Sequence, residues 1–171
     1  IEAAGGQPVR TRVGHSFIKA TMAESGAIFG GEHSGHYYFA DFWRADSGLL
    51  AAMHVLAALG ETPAGTTLGS LVARYERYSR SGEVNSTVRD PAAVLRRAEE
   101  EFGGRPGVSL DRLDGLTVSA GSWWFNLRAS NTEPLLRLNV EGDDDGTMVR
   151  VRDEVLAFVS EHADASGEEP A

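Results

Sequence analysis

The chain has no cysteine, so among its 171 residues no disulfide and no thiolate metal site can form. The same absence favours a cytoplasmic origin. Lysine is nearly missing too: Lys19 stands alone against fifteen arginines. Either chance put it there, or this is a position where an ammonium and a guanidinium are not interchangeable. No apolar run approaches the roughly 20 residues that a membrane-spanning helix requires. Residues 1–8 show neither the basic nor the apolar stretch of a signal peptide, and the first residue is Ile, as expected of a piece of a longer chain. An excess of basic charge is also lacking. At a net charge of -9 the chain has no general basic face with which to displace counterions from nucleic acid, which leaves room only for local anion sites.

What is present suits a folded, soluble protein, with 42% hydrophobic and 24% charged residues. The length fits one medium domain or two small ones. The first third has α/β character. Residues 8–14 lean towards β structure, after which Phe17, Ile18 and Met22 recur at helical spacing. A short apolar stretch at 27–29 runs into a Gly-rich segment, and 37–42 is aromatic and strand-like. Asp46 and Ser47 suit a helix start, with Leu50, Met53 and Ala57 on one apolar face over 48–59.

Residues 60–67 (Gly-Glu-Thr-Pro-Ala-Gly-Thr-Thr) break helix and strand alike, so a linker is expected at 61–67 between a portion at 1–60 and a domain at 68–163. Leu68, Leu71, Val72 and Tyr75 have helical spacing, as do Val94, Leu95, Ala98 and Phe102 behind the cap pair Asp90-Pro91. Strands are predicted at 81–88, 108–110, 116–119 and 123–128, the last pairing with 136–141. Met148, Val151, Val155, Phe158 and Val159 mark a closing helix, and 164–171 is a flexible acidic tail. The expected fold class is an α/β portion followed by an α+β domain, with an antiparallel sheet and helices packed on one face.

The most informative segment is Arg128-Ala129-Ser130-Asn131-Thr132-Glu133-Pro134-Leu135-Leu136-Arg137. A period of two puts Trp123, Phe125 and Leu127 on one face and Trp124, Asn126 and Arg128 on the other. After the turn, Leu136, Leu138 and Val140 share a face, and Arg137 and Asn139 lie opposite. Both arginines therefore fall on the polar side at the mouth of one loop. Two guanidinium forks and a donor-rich Ser-Asn-Thr turn suit a phosphate. A polar hairpin with solvated arginines is the other reading, since Ser-Asn-Thr is also ordinary turn chemistry.

Two earlier segments carry polar chemistry. In Gly30-Gly31-Glu32-His33-Ser34-Gly35-His36 the glycines let backbone approach a ligand, and Glu32 and Ser34, two apart, can bracket vicinal sugar hydroxyls. Glu32, His33 and His36 could ligate zinc, but the spacing is not the helical H-E-x-x-H pattern and no thiolate assists. A tight turn between strands is the structural alternative. In Gly14-His15-Ser16-Phe17-Ile18-Lys19, His15 opens a helix and Lys19 follows one turn later on the same side, which favours an anion at the helix start.

Taken together, the three segments resemble the α-D-phosphohexomutases, the phosphomannomutase/phosphoglucomutase family. The match covers Val13-Gly14-His15-Ser16-Phe17-Ile18-Lys19, Gly31-Glu32-His33-Ser34-Gly35-His36 and Arg128-Ala129-Ser130-Asn131-Thr132-Glu133-Pro134, and extends over 8–162. The resemblance implies the later part of a third domain, a linker, and a C-terminal fourth domain. It implies that Glu32, Ser34 and His36 read sugar hydroxyls, that His15 and Lys19 line the cleft, and that Arg128, Ser130, Asn131 and Thr132 hold the non-transferring phosphate. Arg137 joins them from the strand argument. The partner implied is a phosphorylated hexose, with the N-terminal domains of the same protein, and no nucleic acid or membrane.

The family's phosphoserine loop and its Asp-Gly-Asp-x-Asp-Arg magnesium loop have no counterpart in this sequence. Asp143-Asp144-Asp145 lacks that pattern and reads as a helix cap. The implied reaction of the full-length enzyme, interconversion of hexose 1- and 6-phosphates through a hexose 1,6-bisphosphate with Mg²⁺, therefore needs residues not found here. This fragment alone is expected to be inactive. A non-catalytic phosphosugar-binding module is the alternative.

Overall fold

Gly14, with a φ of 126°, turns the chain into its first helix, α1 (His15–Ser25). The computed structural model describes residues 1–130 and 133–164. By its internal contacts the chain divides after Tyr75 into two units.

In the first unit α1 buries Ile18 and Met22, one turn apart, against Tyr38. A small antiparallel sheet runs in the order β1 (Phe29–Gly31), β2 (Tyr37–Phe39) and β3 (Ala45–Asp46). Gly30 lets β1 lie against α1: a Cβ there would stand 3.1 Å from both Ile18 Cγ2 and Met22 Sδ. The strand expected over 37–42 ends at Phe39. A 3-10 turn, Ala40–Phe42, then passes through Trp43 and Arg44, each at a φ of 54°, and returns the chain to β3.

Residues 8–14, expected to lean towards β, make no strand. Val9 and Val13 are 46% and 43% exposed, and a β-prone stretch with neither ladder partner nor buried face stays irregular. Helix α2 (Gly48–Gly60) starts as its cap predicts, with Ser47 Oγ accepting from Leu50 N–H at 3.2 Å. Its apolar face is not buried, however. Met53 is 58% exposed and Leu56 65%, because strands of two or three residues offer too little surface to cover a 13-residue helix. A short α3 (Leu68–Val72) follows, held by a reciprocal cap between Thr67 and Ser70.

The second unit matches its sequence pattern closely. Strands β4 (Ser79–Arg80) and β5 (Val84–Thr87) both pair with a later strand. Helix α4 (Pro91–Gly103) opens on Asp90, which accepts from Ala93 N–H at 3.0 Å. Then come β6 (Ser109–Asp111), β7 (Leu116–Ala120), β8 (Trp123–Ala129), β9 (Leu135–Gly142) and α5 (Asp145–Glu161), whose N-cap Asp144 accepts from Thr147 N–H at 2.8 Å. The sheet is antiparallel in the order β4-β9-β8-β7-β6, with β5 also on β9. Val94, Ala98 and Phe102 from α4 and Met148, Val151, Val155 and Val159 from α5 pack on Val118, Phe125, Leu127, Leu136, Leu138 and Val140. Phe102 meets Phe125 edge to face at 5.1 Å. No helix among the described residues is long and apolar enough to cross a membrane.

The contrast between the units can be measured. Phe125→Ala, at a fully buried site, is expected to cost about 3–5 kcal/mol in urea unfolding of its unit. Leu56→Ala should stay within about 0.5 kcal/mol, as an exposed residue does. A core-sized cost at Leu56 would show that α2 is covered in solution.

Candidate functional site

The loop between β1 and β2 is pinned by its own backbone: Glu32 N–H donates to His36 C=O at 2.9 Å and Gly35 N–H to Glu32 C=O at 3.0 Å. Gly35, with a φ of 86°, supplies the left-handed residue that closes this turn. Ser34 and His33 stand exposed at its tip. Glu32 and His36, at its two ends, are each engaged by a neighbour. Buried Tyr38 donates its hydroxyl to Glu32 Oε1 at 2.5 Å. Burial and that hydrogen bond push the Tyr38 phenol above its ordinary value of 10. His36 Nδ1 meets Asp46 Oδ2 at 2.7 Å, and Tyr37 N–H donates to the other oxygen, Oδ1, at 2.9 Å.

This pairing raises the His36 imidazole above 6.5 and lowers the Asp46 carboxyl below 3.8, in each case first through their shared hydrogen bond. His36 thus contributes stability that is complete below pH 6.5 and fades as the pH rises through its raised pKa. Asp46 contributes stability that is complete above 3.8 and fades as the pH falls through its lowered one.

His15, the first residue of α1, stands against the same group, its ring 4.7 Å from His36 and 5.4 Å from Tyr38. His15, His36 and Asp46 each offer one ligand atom within 4.8 Å of the others. Within the trio, His36 Nδ1 and the Asp46 carboxylate are already in hydrogen-bond contact. Lys19 lies one turn further along α1, exposed, its ammonium without a partner among the described residues.

In the second unit the register of β8 and β9 sets Arg128 directly opposite Arg137. Both project from the face away from the helices, because Phe125, Leu127, Leu136 and Leu138 occupy the buried one. Two cations face to face repel, and a carboxylate stands beside each to offset its charge. Arg128 Nε is 3.8 Å from Asp114 Oδ2, and Arg137 Nη1 is 3.4 Å from Glu83 Oε1. Arg137 Nε and Asn139 Oδ1 are buried with no hydrogen-bond partner among the described residues. Ser130 N–H donates to Leu135 C=O at 2.8 Å and closes the mouth of the loop. Asn131 and Thr132, also expected at this site, lie outside the described residues.

Two family models match the chain. One, described as phosphoglucomutase/phosphomannomutase, alpha/beta/alpha domain III, covers residues 1–78, and the C-terminal domain of the same family covers 83–158. The chain belongs to the phosphoglucomutase/phosphomannomutase family. It is 42% identical over 159 residues to the phosphomannomutase of Escherichia coli K12, a match that covers 91% of this chain and 34% of that protein. The phosphomannomutase of Methanocaldococcus jannaschii is 40% identical over 160 residues, covering 94% and 34%. A crystal structure of a phosphoglucomutase/phosphomannomutase family protein from Burkholderia thailandensis superimposes with a TM-score of 0.76 at 28% identity, covering 97% of this chain and 35% of that one. The chain thus spans about a third of the length of the relatives it matches.

Sequence reasoning missed the residues that support these loops. Tyr38 and Asp46 sat in segments read as a plain strand and a helix start, and their role appears only when β2 and β3 pair Tyr38 with Asp46. Gly115 was missed as well. At a φ of 75° it admits the turn before β7 so close to β8 that a Cβ would stand 2.6 Å from Leu127 C=O and 3.0 Å from Arg128 Cα. Asn126 fastens the same turn, donating to Asp114 C=O at 2.8 Å and to Thr117 Oγ1 at 3.0 Å. A glycine between Asp and Leu was the available signal.

Three outcomes follow. Tyr38→Phe should destabilise the first unit by about 1.5–3 kcal/mol, the worth of a hydrogen bond to a carboxylate. In alkaline absorbance titration of the wild type, the Tyr38 phenol should stay protonated as the pH passes 10. Gly115→Ala should cost more than about 1 kcal/mol in thermal unfolding, since the added methyl meets backbone at a positive φ.

Proposed function

We propose that this chain is the sugar- and phosphate-holding part of a phosphohexomutase that interconverts hexose 1-phosphate and hexose 6-phosphate. On this reading residues 1–60 carry the hydroxyl-reading loop, with Glu32, Ser34 and His36 towards the sugar and His15 and Lys19 beside it. Residues 68–163 carry the anchor for the phosphate that is not being transferred, with Arg128, Ser130, Asn131, Thr132 and Arg137 around it.

The observation that carries the proposal is the cross-strand pair of arginines, Arg128 opposite Arg137, flanked among the described residues by Asp114 at 3.8 Å and Glu83 at 3.4 Å. A phosphate dianion placed between two guanidinium forks relieves their repulsion and accepts bidentate hydrogen bonds. The flanking carboxylates hold the forks in position. A phosphate anchor separate from the hydroxyl-reading loop is what a mutase needs, because the sugar must be held by either end in turn. Phosphoryl transfer itself depends on positioning and charge stabilisation, and this chain's residues contribute the positioning.

The phosphoryl-carrying serine and the ligands of Mg²⁺, which stabilises charge on the moving phosphoryl group, belong to the N-terminal domains of the full-length enzyme. The chain by itself is expected to have no mutase activity.

The test is an NMR titration with mannose 6-phosphate, with unphosphorylated mannose alongside. Saturable shifts at Arg128, Ser130 and Arg137 with the phosphorylated sugar alone are the expected result. Arg128→Ala should weaken that binding about tenfold or more, the loss of one charge-assisted contact. Equal binding by the variant, or equal response to mannose, would overturn the assignment.

A further inference from the structure

Asp46 matches none of the motifs that mark the loop, yet it makes two of that loop's closest polar contacts. Its Oδ1 accepts from Tyr37 N–H at 2.9 Å, which fixes the carboxylate against β2. Its Oδ2 is then left for His36 Nδ1 at 2.7 Å. The β2–β3 register sets Asp46 across from Tyr38, so the carboxylate, the imidazole and the phenol share one end of the sheet. We propose that Asp46 is the positioning residue of His36, holding Nδ1–H so that the ring offers Nε2, and only Nε2, to a ligand of the 32–36 loop. The proposal rests on the reading of that loop as a phosphosugar site.

The chemistry is that of an imidazole with a carboxylate behind it. A neutral imidazole has one N–H, and which nitrogen bears it is set by what the other atoms of the site accept. Asp46, ionised across the working range because its carboxyl is held low, makes Nδ1–H the favoured tautomer. Nε2 then carries the lone pair and can accept a hydrogen bond, or a proton, from a sugar hydroxyl. When the ring is protonated, Nε2–H becomes a donor towards an anion.

The groups facing His36 come from each element around it: Asp46 from β3, Glu32 from the loop, His15 from α1 and Tyr38 from β2. The two carboxylates favour the imidazolium, and Asp46 outweighs Glu32, whose carboxylate is occupied by Tyr38. His15 packs its ring against that of His36, which limits rotation about the Cβ–Cγ bond.

Long-range ¹H–¹⁵N spectra of the imidazoles decide the question, with wild type, Asp46→Asn and Asp46→Ala compared across the pH range. In the wild type the neutral form of His36 should be the Nδ1–H tautomer, and its titration midpoint should lie above 6.5. Asp46→Asn removes the charge and replaces one of the two acceptor oxygens with an NH2 donor, so the midpoint should move down. Asp46→Ala should lose both features. If the alanine variant fails to fold, which the Tyr37 N–H contact could cause, the wild type and asparagine spectra still decide.

A wild-type ring in the Nε2–H form, or a midpoint that Asp46→Asn leaves unmoved, would overturn the proposal. Mannose 6-phosphate added to the same samples separates the two claims. A correct tautomer with no ligand shift at 32–36 refutes the sugar-site reading, and with it the ligand named here. A ligand shift with the wrong tautomer refutes Asp46 alone.

Discussion

Along β8 and β9 successive side chains point to opposite faces, and only one of those faces can be buried. Phe125, Leu127, Leu136, Leu138 and Val140 take the helix-covered face and make the core with α4 and α5. That choice leaves Arg128 and Arg137 on the other face, and the register brings them directly opposite each other. A one-residue slip of β9 would turn Arg137 into the core and Leu136, Leu138 and Val140 out of it, which is why the pairing is firmly specified. The same burial that stabilises the second unit thus concentrates positive charge at one hairpin. That positive pair stands in a chain whose net charge is -9.

The 32–36 loop of the first unit rests on different physics. Its end residues are polar side chains satisfied in pairs, Tyr38 with Glu32 and His36 with Asp46. Each pair couples a residue of the loop to one of the sheet, so the loop's orientation is inherited from three short strands. Little hydrophobic burial supports it, with Ile18, Met22 and Tyr38 as the buried cluster. The apolar residues of α2 remain exposed, which fits a chain that spans about a third of its relatives' length.

Much of this was legible in the sequence because it is local. The Asp90-Pro91 and Asp144 caps, the period of two along β8 and β9, and the 3.6-residue period of α4 and α5 each specify their element within a few neighbours. The motifs at 13–19, 31–36 and 128–134 were legible for the same reason, and they led to the family. Residues 8–14 misled because β propensity without a partner strand makes no strand. The apolar face of α2 misled because periodicity predicts a helix, and burial depends on what stands opposite.

The sequence by itself determined the helix starts, the buried face of the hairpin and the family to which the chain belongs, since those depend on spacing and residue type along a short stretch. Only the tertiary structure decided that Asp46 stands behind His36, that Tyr38 secures Glu32 and that Gly115 must be glycine for a turn to lie against Arg128. Each of these joins residues on different strands or across a turn. Their partners are chosen by strand register and close backbone approach, which no spacing along the chain records.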